Sequence, residues 1–364
     1  MVNFILINNK NMALSVGIVG LPNVGKSTLF NALTKNSAPS SNYPFCTIDP
    51  NIGIVSVSDY RLGKLAKISK PEKIIPCTIE FIDIAGLVKG AHKGEGLGNK
   101  FLSHIRECDA ICEVVRNFQD DNIVHVNGKV DPIQDRETIN LELIFADLNT
   151  VEKRLASITK EARGHDKEAV KMQKILRKLK AHLGQGKAIR ELELNQEEKI
   201  LIKELNLLSI KPIIYVLNGN DNSKIINKKW DGEILFLNAK LGAEIAELLK
   251  KEQKEYIREF GIDKSDLDKL IQACYRLLNL ITYFTTGPKE TRAWTIERGT
   301  LAPQAAGKIH TDFESGFIRA EVISYKDFIR AGGEAKAREK GLLRTEGKNY
   351  EIKDGDVCHF LVNR

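Results

Sequence analysis

No apolar run in this 364-residue chain approaches the roughly 20 residues that a membrane-spanning helix requires, so no membrane partner is expected. Cysteine is sparse and unpaired: Cys46, Cys77, Cys108, Cys112, Cys274 and Cys358 form no CxxC pair and have no histidine at zinc-finger spacing. That pattern argues against a structural zinc or a disulfide framework and reads as reduced thiols in the cytoplasm. Phe4-Ile5-Leu6-Ile7 is too short for a secretory core and lacks a small-residue cleavage pattern. Met12 stands just before the first apolar strand, so residues 1–11 read as an N-terminal extension. Proline is absent from Asp135 to Leu208, which removes the strongest helix breaker from that stretch. Charge is only mildly one-sided, with 55 Lys and Arg against 48 Asp and Glu and a net +7. Such an excess is compatible with an RNA or ribosome surface as partner without requiring one. The length suits two or three domains.

The strongest positive signal is Gly20-Leu21-Pro22-Asn23-Val24-Gly25-Lys26-Ser27, a G-x-x-x-x-G-K-S stretch. The apolar run Ser15 to Val19 precedes it and the helix-like Thr28 to Leu33 follows, which is the strand, loop and helix context of a phosphate-binding loop. The glycines let successive backbone N–H groups face a phosphate, and the helix beginning near Lys26 adds its positive end. Lys26 then reaches the β- and γ-phosphates, and Ser27 ligates Mg²⁺.

Downstream, the turn formers Asn36 to Pro44 lead to Thr47 and an alternating strand from Ile52 to Val57. A Thr in such a segment is where a nucleotide switch places a second Mg²⁺ ligand, although strand-entry threonines are common. The apolar strand Cys77 to Ile82 delivers Asp83, and Gly86 follows three residues on. At the carboxyl end of a sheet strand, Asp83 suits the Mg²⁺ shell, and the Gly86 N–H suits the γ-phosphate. Leu87 stands where many GTP hydrolases carry a water-orienting Gln, and an apolar side chain cannot align a water. Four glycines between Gly90 and Gly98 suit a segment that changes shape with the γ-phosphate. A helix is expected over Phe101 to Glu107, a strand over Asp109 to Val115, and then an acidic turn carrying His125.

From residue 135 to 208 the composition turns to Lys, Arg, Glu and Leu, with apolar positions at Leu141, Ile144, Leu148, Val151, Leu155 and Ile158. Spacings of three and four predict long amphipathic helices folded back as a coiled-coil hairpin, turning at 164–166 and 184–186. Its charges suit a solvated face, and a net-positive tip also suits RNA. The α/β pattern resumes at Lys211-Pro212, so the helices form an insertion in a nucleotide domain spanning 12–134 and 209–279. There the strand Ile213 to Leu217 ends in Asn218-Gly219-Asn220-Asp221, similar to the guanine-reading Asn-Lys-x-Asp but with Gly219 in place of Lys. Residues 280–364 carry short Thr-rich and aromatic strands with few helices, a small α+β domain.

Together, GLPNVGKS at Gly20 to Ser27, NYPFCTIDPN at Asn42 to Asn51, DIAGLVKGAHKGEGLGN at Asp83 to Asn99 and KIHTDFESGFIRAEVISYKDF at Lys308 to Phe328 closely resemble the YchF family, the Obg-like ATPases. The resemblance runs from Met12 to Arg364. It implies an α/β P-loop NTPase domain with an inserted helical coiled-coil arm, plus a C-terminal TGS domain of β-grasp fold. It further implies a protein that prefers ATP to GTP, associates with ribosomes and is linked to translation and stress responses. The motifs and Leu87 add a slow Mg²⁺-dependent nucleotide switch, the basic arm suits ribosomal RNA, and nothing in the sequence demands more than a cytoplasmic monomer.

Carried over by residue, the resemblance gives Asn23, Val24, Gly25, Lys26, Ser27 and Thr28 to the phosphates, and Asn218 and Asp221 to the base. It gives Ser27, Thr47 and Asp83 to Mg²⁺, Lys26, Thr47 and Gly86 to catalysis, His125 to assisting hydrolysis, and Asn23 to a potassium ion. The family's base motif is Asn-x-x-Glu, whereas this chain has Asp221, the acid GTPases use. A GTP-specific hydrolase, or a nucleotide-regulated ribosome-binding module with negligible hydrolysis, therefore stays open.

Overall fold

The computed structural model describes residues 14–35, 51–84, 97–161, 166–219, 230–248, 250–259 and 265–363. In chain order the nucleotide-binding half begins with β1 (Ser15–Val19), α1 (Lys26–Lys35), β2 (Ile52–Ser56), α2 (Tyr60–Ser69), β3 (Lys73–Ile75), β4 (Thr78–Asp83), α3 (Leu97–Glu107) and β5 (Ala110–Arg116). After the arm it continues with β6 (Ile213–Asn218) and β7 (Glu233–Leu237). Among the described residues, six of these strands form a sheet in the order β2-β4-β1-β5-β6-β7. The pairs are parallel except that β2 runs antiparallel to β4. β1, β5 and β6 are buried along their whole length, as continuous apolar strands covered on both faces should be.

This order brings the phosphate loop after β1, Asp83 at the end of β4, Arg116 at the end of β5 and Asn218 at the end of β6 to one carboxyl edge. Ligands of open α/β sheets sit at that edge. Helix α3 begins at Leu97, earlier than the Phe101 expected from sequence, so the last two positions of the glycine-rich 90–98 stretch are helical. Thr47, Gly86, Leu87 and Asp221 lie outside the described residues.

The inserted segment forms α4 (Pro132–Glu161), α5 (Lys167–Leu183) and α6 (Gln196–Ile202), with 3₁₀ turns at Ile189–Glu191 and Lys203–Leu205. Lys180 pairs with Glu152 at 2.7 Å and Gln173 with Thr159 at 3.2 Å. Later residues of α5 thus meet earlier residues of α4, and the two helices are antiparallel. The three-and-four spacing buries Val151, Ile158, Met172, Ile175, Leu176 and Leu179 in the arm's own core. Its base is closed by the fully buried Asp147, whose carboxylate accepts from Leu208 N–H (2.8 Å), Ser209 N–H (2.7 Å) and Ser209 Oγ–H (2.6 Å). Those bonds only partly offset the desolvation, which pushes the Asp147 carboxyl above its ordinary range.

Helices α7 (Ala239–Glu247), α8 (Lys250–Glu259) and α9 (Asp266–Leu277) lead to the second sheet. It contains β8 (Leu280–Thr286), β9 (Glu290–Glu297), β10 (Phe317–Ser324), β11 (Arg344–Glu346) and β12 (Asp356–Val362). The hairpin β8–β9, the parallel pairing of β12 with β8 and the antiparallel pairing of β10 with β12 are the arrangement of a β-grasp. Sequence reading gave this region few helices, yet α10 (Ala302–Ile309), α11 (Thr311–Ser315), α12 (Tyr325–Ala331) and α13 (Glu334–Glu339) are present. Each is at most eight residues long, too short for helical periodicity to stand out.

The sheet order is β11-β10-β12-β8-β9-β3, so its last strand comes from the nucleotide-binding half. β3 pairs in parallel with Glu290 to Arg292 of β9. Nearby, Arg61 of α2 bonds Asp354 at 2.7 Å and stacks over Phe284 at 5.2 Å. Tyr275 of α9 donates its hydroxyl to the Ile281 carbonyl at 3.1 Å.

Candidate functional site

β1 delivers the chain into a loop whose shape depends on three φ-positive residues, Gly20 at 158°, Asn23 at 64° and Gly25 at 96°. A side chain at Gly25 would also run into the Asn218 amide, so glycine is required twice over. Asn23, Ser27 and Thr28 are exposed at the mouth of the loop, whereas the Val24 side chain is packed in the core beneath it. Helix α1 starts at Lys26, so its unpaired N–H groups open onto the same space, a setting suited to an anion.

The Lys26 ammonium is buried and donates to the Leu21 carbonyl across the loop at 2.8 Å. Burial lowers its pKa, opposed by the negative charge of Asp83. Ser27 Oγ–H donates to Asp83 Oδ2 at 3.1 Å. The other oxygen, Asp83 Oδ1, is buried without a hydrogen-bond partner among the described residues. A hydroxyl and a partly unsatisfied carboxylate side by side at the loop are a donor set that fits a hard divalent cation.

Asn218 was expected to read the base, and both ends of its buried amide are tied into the protein. Nδ2–H donates to the Val24 carbonyl at 2.8 Å, and Oδ1 accepts from Ala239 N–H at 2.9 Å. It therefore clamps the phosphate loop to the start of α7. Gly219 occupies the position of the lysine in Asn-Lys-x-Asp for a local reason. Its φ is 153°, and a Cβ there would lie 2.5 Å from the Asn117 carbonyl carbon and 3.0 Å from the Phe118 nitrogen. The departure from the GTPase motif thus follows from the close approach of the chain leaving β5.

His125 sits in the loop after β5 but is turned inward, 7% exposed. Nε2 lies 2.8 Å from Asp135 Oδ2 on the first turn of α4, and Nδ1 accepts from Asn127 N–H at 3.1 Å. Both ring nitrogens are engaged away from the phosphate loop. The loop itself touches that site, because Asn23 Nδ2–H donates to the Val124 carbonyl at 3.1 Å. Sequence reading missed the residue that shapes it: buried Arg116 donates to the carbonyls of Phe118 (3.2 Å), Asp120 (3.2 Å) and Ile123 (2.9 Å) and stacks over Phe118. An arginine ending an otherwise apolar strand was the available signal.

Also unforeseen is Glu113, fully buried in β5 with neither carboxylate oxygen hydrogen-bonded among the described residues. Burial holds its carboxyl well above the ordinary range, with Arg190 and Arg136 opposing that shift. Close by, Arg190 from the arm pairs with Asp231 at 2.6 Å, and Tyr215 Oη–H donates to Asp231 at 2.6 Å.

Comparison with known proteins bears on this geometry. A relative from Bacillus subtilis (strain 168), named a ribosome-binding ATPase YchF, is 56% identical over 97% of this chain and 100% of its own length. The chain belongs to the YchF family. The Escherichia coli O157:H7 YchF is 52% identical over the same shares. The solved structure of the Schizosaccharomyces pombe YchF GTPase superposes with a TM-score of 0.84 at 39% identity, covering 96% of this chain and 97% of that one. A family model for the YchF GTPase C-terminal region, described as a protein of unknown function, matches residues 280–363. A model described as a 50S ribosome-binding GTPase matches residues 15–146. Among the described residues, no helix is long and apolar enough to cross a membrane.

Proposed function

We propose that this chain is a Mg²⁺-dependent P-loop ATPase that acts as a slow nucleotide switch on the ribosome. The observation that carries the reading is the half-buried Asp83 carboxylate beside Ser27 and Lys26 at the mouth of α1, with its buried Oδ1 unsatisfied among the described residues. YchF relatives bearing the name ribosome-binding ATPase support the activity and the partner. The domains follow as 12–134 with 209–279 for nucleotide, 135–208 for the arm and 280–364 for the C-terminal β-grasp, in a cytoplasmic monomer.

Ser27 and Thr47 would hold Mg²⁺, with Asp83 in its shell, and the bound ion would neutralise charge on the β- and γ-phosphate oxygens. Lys26 leaves the Leu21 carbonyl for the phosphates, where a desolvated ammonium acts more strongly than in water. The loop amides at the start of α1 take the developing charge on the leaving ADP. The Gly86 N–H would serve the γ-phosphate, and Asn23 would hold a potassium ion that offsets charge beside the phosphates. Leu87 supplies no group to orient the attacking water, so intrinsic turnover is slow, and His125 accepts the water's proton at Nδ1 once that atom is released by Asn127.

Adenine preference draws support from Ala239. Its N–H is spent on Asn218, which leaves that base-side donor closed to a guanine carbonyl. Asp221 is the residue that favours the GTP reading. Competition between labelled ATP and GTP, with Mg²⁺ and potassium present, separates the two. ATP binding at least tenfold tighter, about 1.4 kcal/mol, is the expected result, and tighter GTP binding overturns the assignment. A Lys26→Ala chain that loses nucleotide but still binds ribosomes fully would instead favour a binding module that does not switch.

A further inference from the structure

We propose that Asp135 is the positioning residue for His125, a role that rests on the reading of His125 as the group that takes the proton from the attacking water. His125 and Asp135 are both buried, and their 2.8 Å contact ties the loop beside the phosphate site to the first turn of the arm. The surrounding bonds define the ring's proton. Asn127 N–H points at Nδ1 at 3.1 Å, so Nδ1 must present its lone pair and the hydrogen must sit on Nε2, facing the carboxylate. Asn127 Nδ2–H reaches Asp135 Oδ1 at 3.4 Å and helps hold the carboxylate in place.

This arrangement prepares a base and stabilises its product. If the ring keeps its Nε2–H bond to Asp135 and Nδ1 is released by Asn127, the free lone pair can accept a proton. As water oxygen bonds the γ-phosphorus and the bridging oxygen leaves with ADP, the water's proton passes to Nδ1. The resulting imidazolium then faces a carboxylate, and the proton later leaves to phosphate or solvent. A neutral partner in place of Asp135 would accept the same hydrogen bond without stabilising that charge. Asp135 comes from α4 and not from the loop, so the arm's first turn sets the ring's orientation.

The test compares full-length Asp135→Asn, His125→Ala and the double variant for kcat, KM, ATP affinity and Tm, with Mg²⁺ and potassium present. Asp135→Asn is expected to lower kcat about tenfold to a hundredfold, less than the hundred- to ten-thousandfold typical of a general base, with KM, ATP affinity and Tm near those of the parent. The double variant should be no slower than His125→Ala alone, because Asp135 acts through the ring. If His125→Ala turns over normally, the role of His125 itself fails. If His125→Ala is slow while Asp135→Asn keeps parental kcat, or loses Tm and ATP affinity in step with kcat, Asp135 is only a staple and the positioning role is overturned while the hydrolase reading stands.

Discussion

Replacing Gly219 by alanine tests whether the departure from Asn-Lys-x-Asp is imposed by packing. At φ 153°, a region that L-residues sparsely populate, an alanine pays roughly 1–2 kcal/mol. The new Cβ, 2.5 Å from the Asn117 carbonyl carbon, must also push apart a backbone held by Asn117 N–H to the Asn218 carbonyl and Gly219 N–H to the Leu237 carbonyl, each at 2.9 Å. Overpacking of this kind typically costs about 1–3 kcal/mol. The total of roughly 2–5 kcal/mol corresponds to a fall in Tm of about 4–20 °C for a domain of this size. Because Asn218 clamps the Val24 carbonyl, ATP affinity should fall as well. A lysine, which would rebuild the GTPase motif, carries the same Cβ and should not gain guanine binding. Gly63 is the control: it is exposed within α2, and a Cβ added there would meet nothing within 4 Å, so its change to alanine should stabilise by about 0.5–1 kcal/mol. Thermal melts and ATP titrations of both variants decide the matter. A Gly219→Ala chain that melts and binds ATP like the parent refutes the packing argument.

Other outcomes follow from the same geometry. Asn218→Ala leaves the buried Val24 carbonyl and Ala239 N–H unpaired, at roughly 1–3 kcal/mol each, and should weaken ATP binding measured by titration together with Tm. Ser27→Ala removes the hydroxyl beside Asp83 and should raise the Mg²⁺ concentration needed for half-maximal turnover while leaving the melt within about 1 °C, as expected for an exposed site. Glu113 gives a pH signature. Burial raises its folded pKa, so above about pH 4 the native chain keeps a proton that the unfolded chain has released. Stability then falls as pH rises from there through the folded pKa and levels off beyond it. Glu113→Gln cannot ionise, so its melting temperature should gain on the parent's from pH 5 to pH 8; a gap that does not widen with pH contradicts a buried neutral carboxyl.

The parts of this fold that could be read from sequence are those written in neighbouring residues. The phosphate loop, Asp83 at a strand end and the three-and-four spacing from Leu141 to Ile158 each carry their signal within one element. What escaped depends on distant pairings. Nothing near His125 marks Asp135 as its partner, and nothing near Asn218 shows that Val24 and Ala239 absorb its amide. The short strand Lys73 to Ile75, flanked by Pro71 and Pro76, gains its identity only from β9, more than two hundred residues later. Conversely, Gly219 looked like a degraded motif until the path of Asn117 supplied the reason.

That borrowed strand also bears on how the chain can be cut. A fragment beginning at Leu280 would leave the outer side of β9 with the N–H and C=O groups that Lys73 to Ile75 now satisfy. An uncovered strand of this kind is a template for pairing with any extended chain, including a second copy of itself. The C-terminal region is thus complete as a family match but not in hydrogen bonds, and a soluble fragment should need residues 71–76 supplied alongside it.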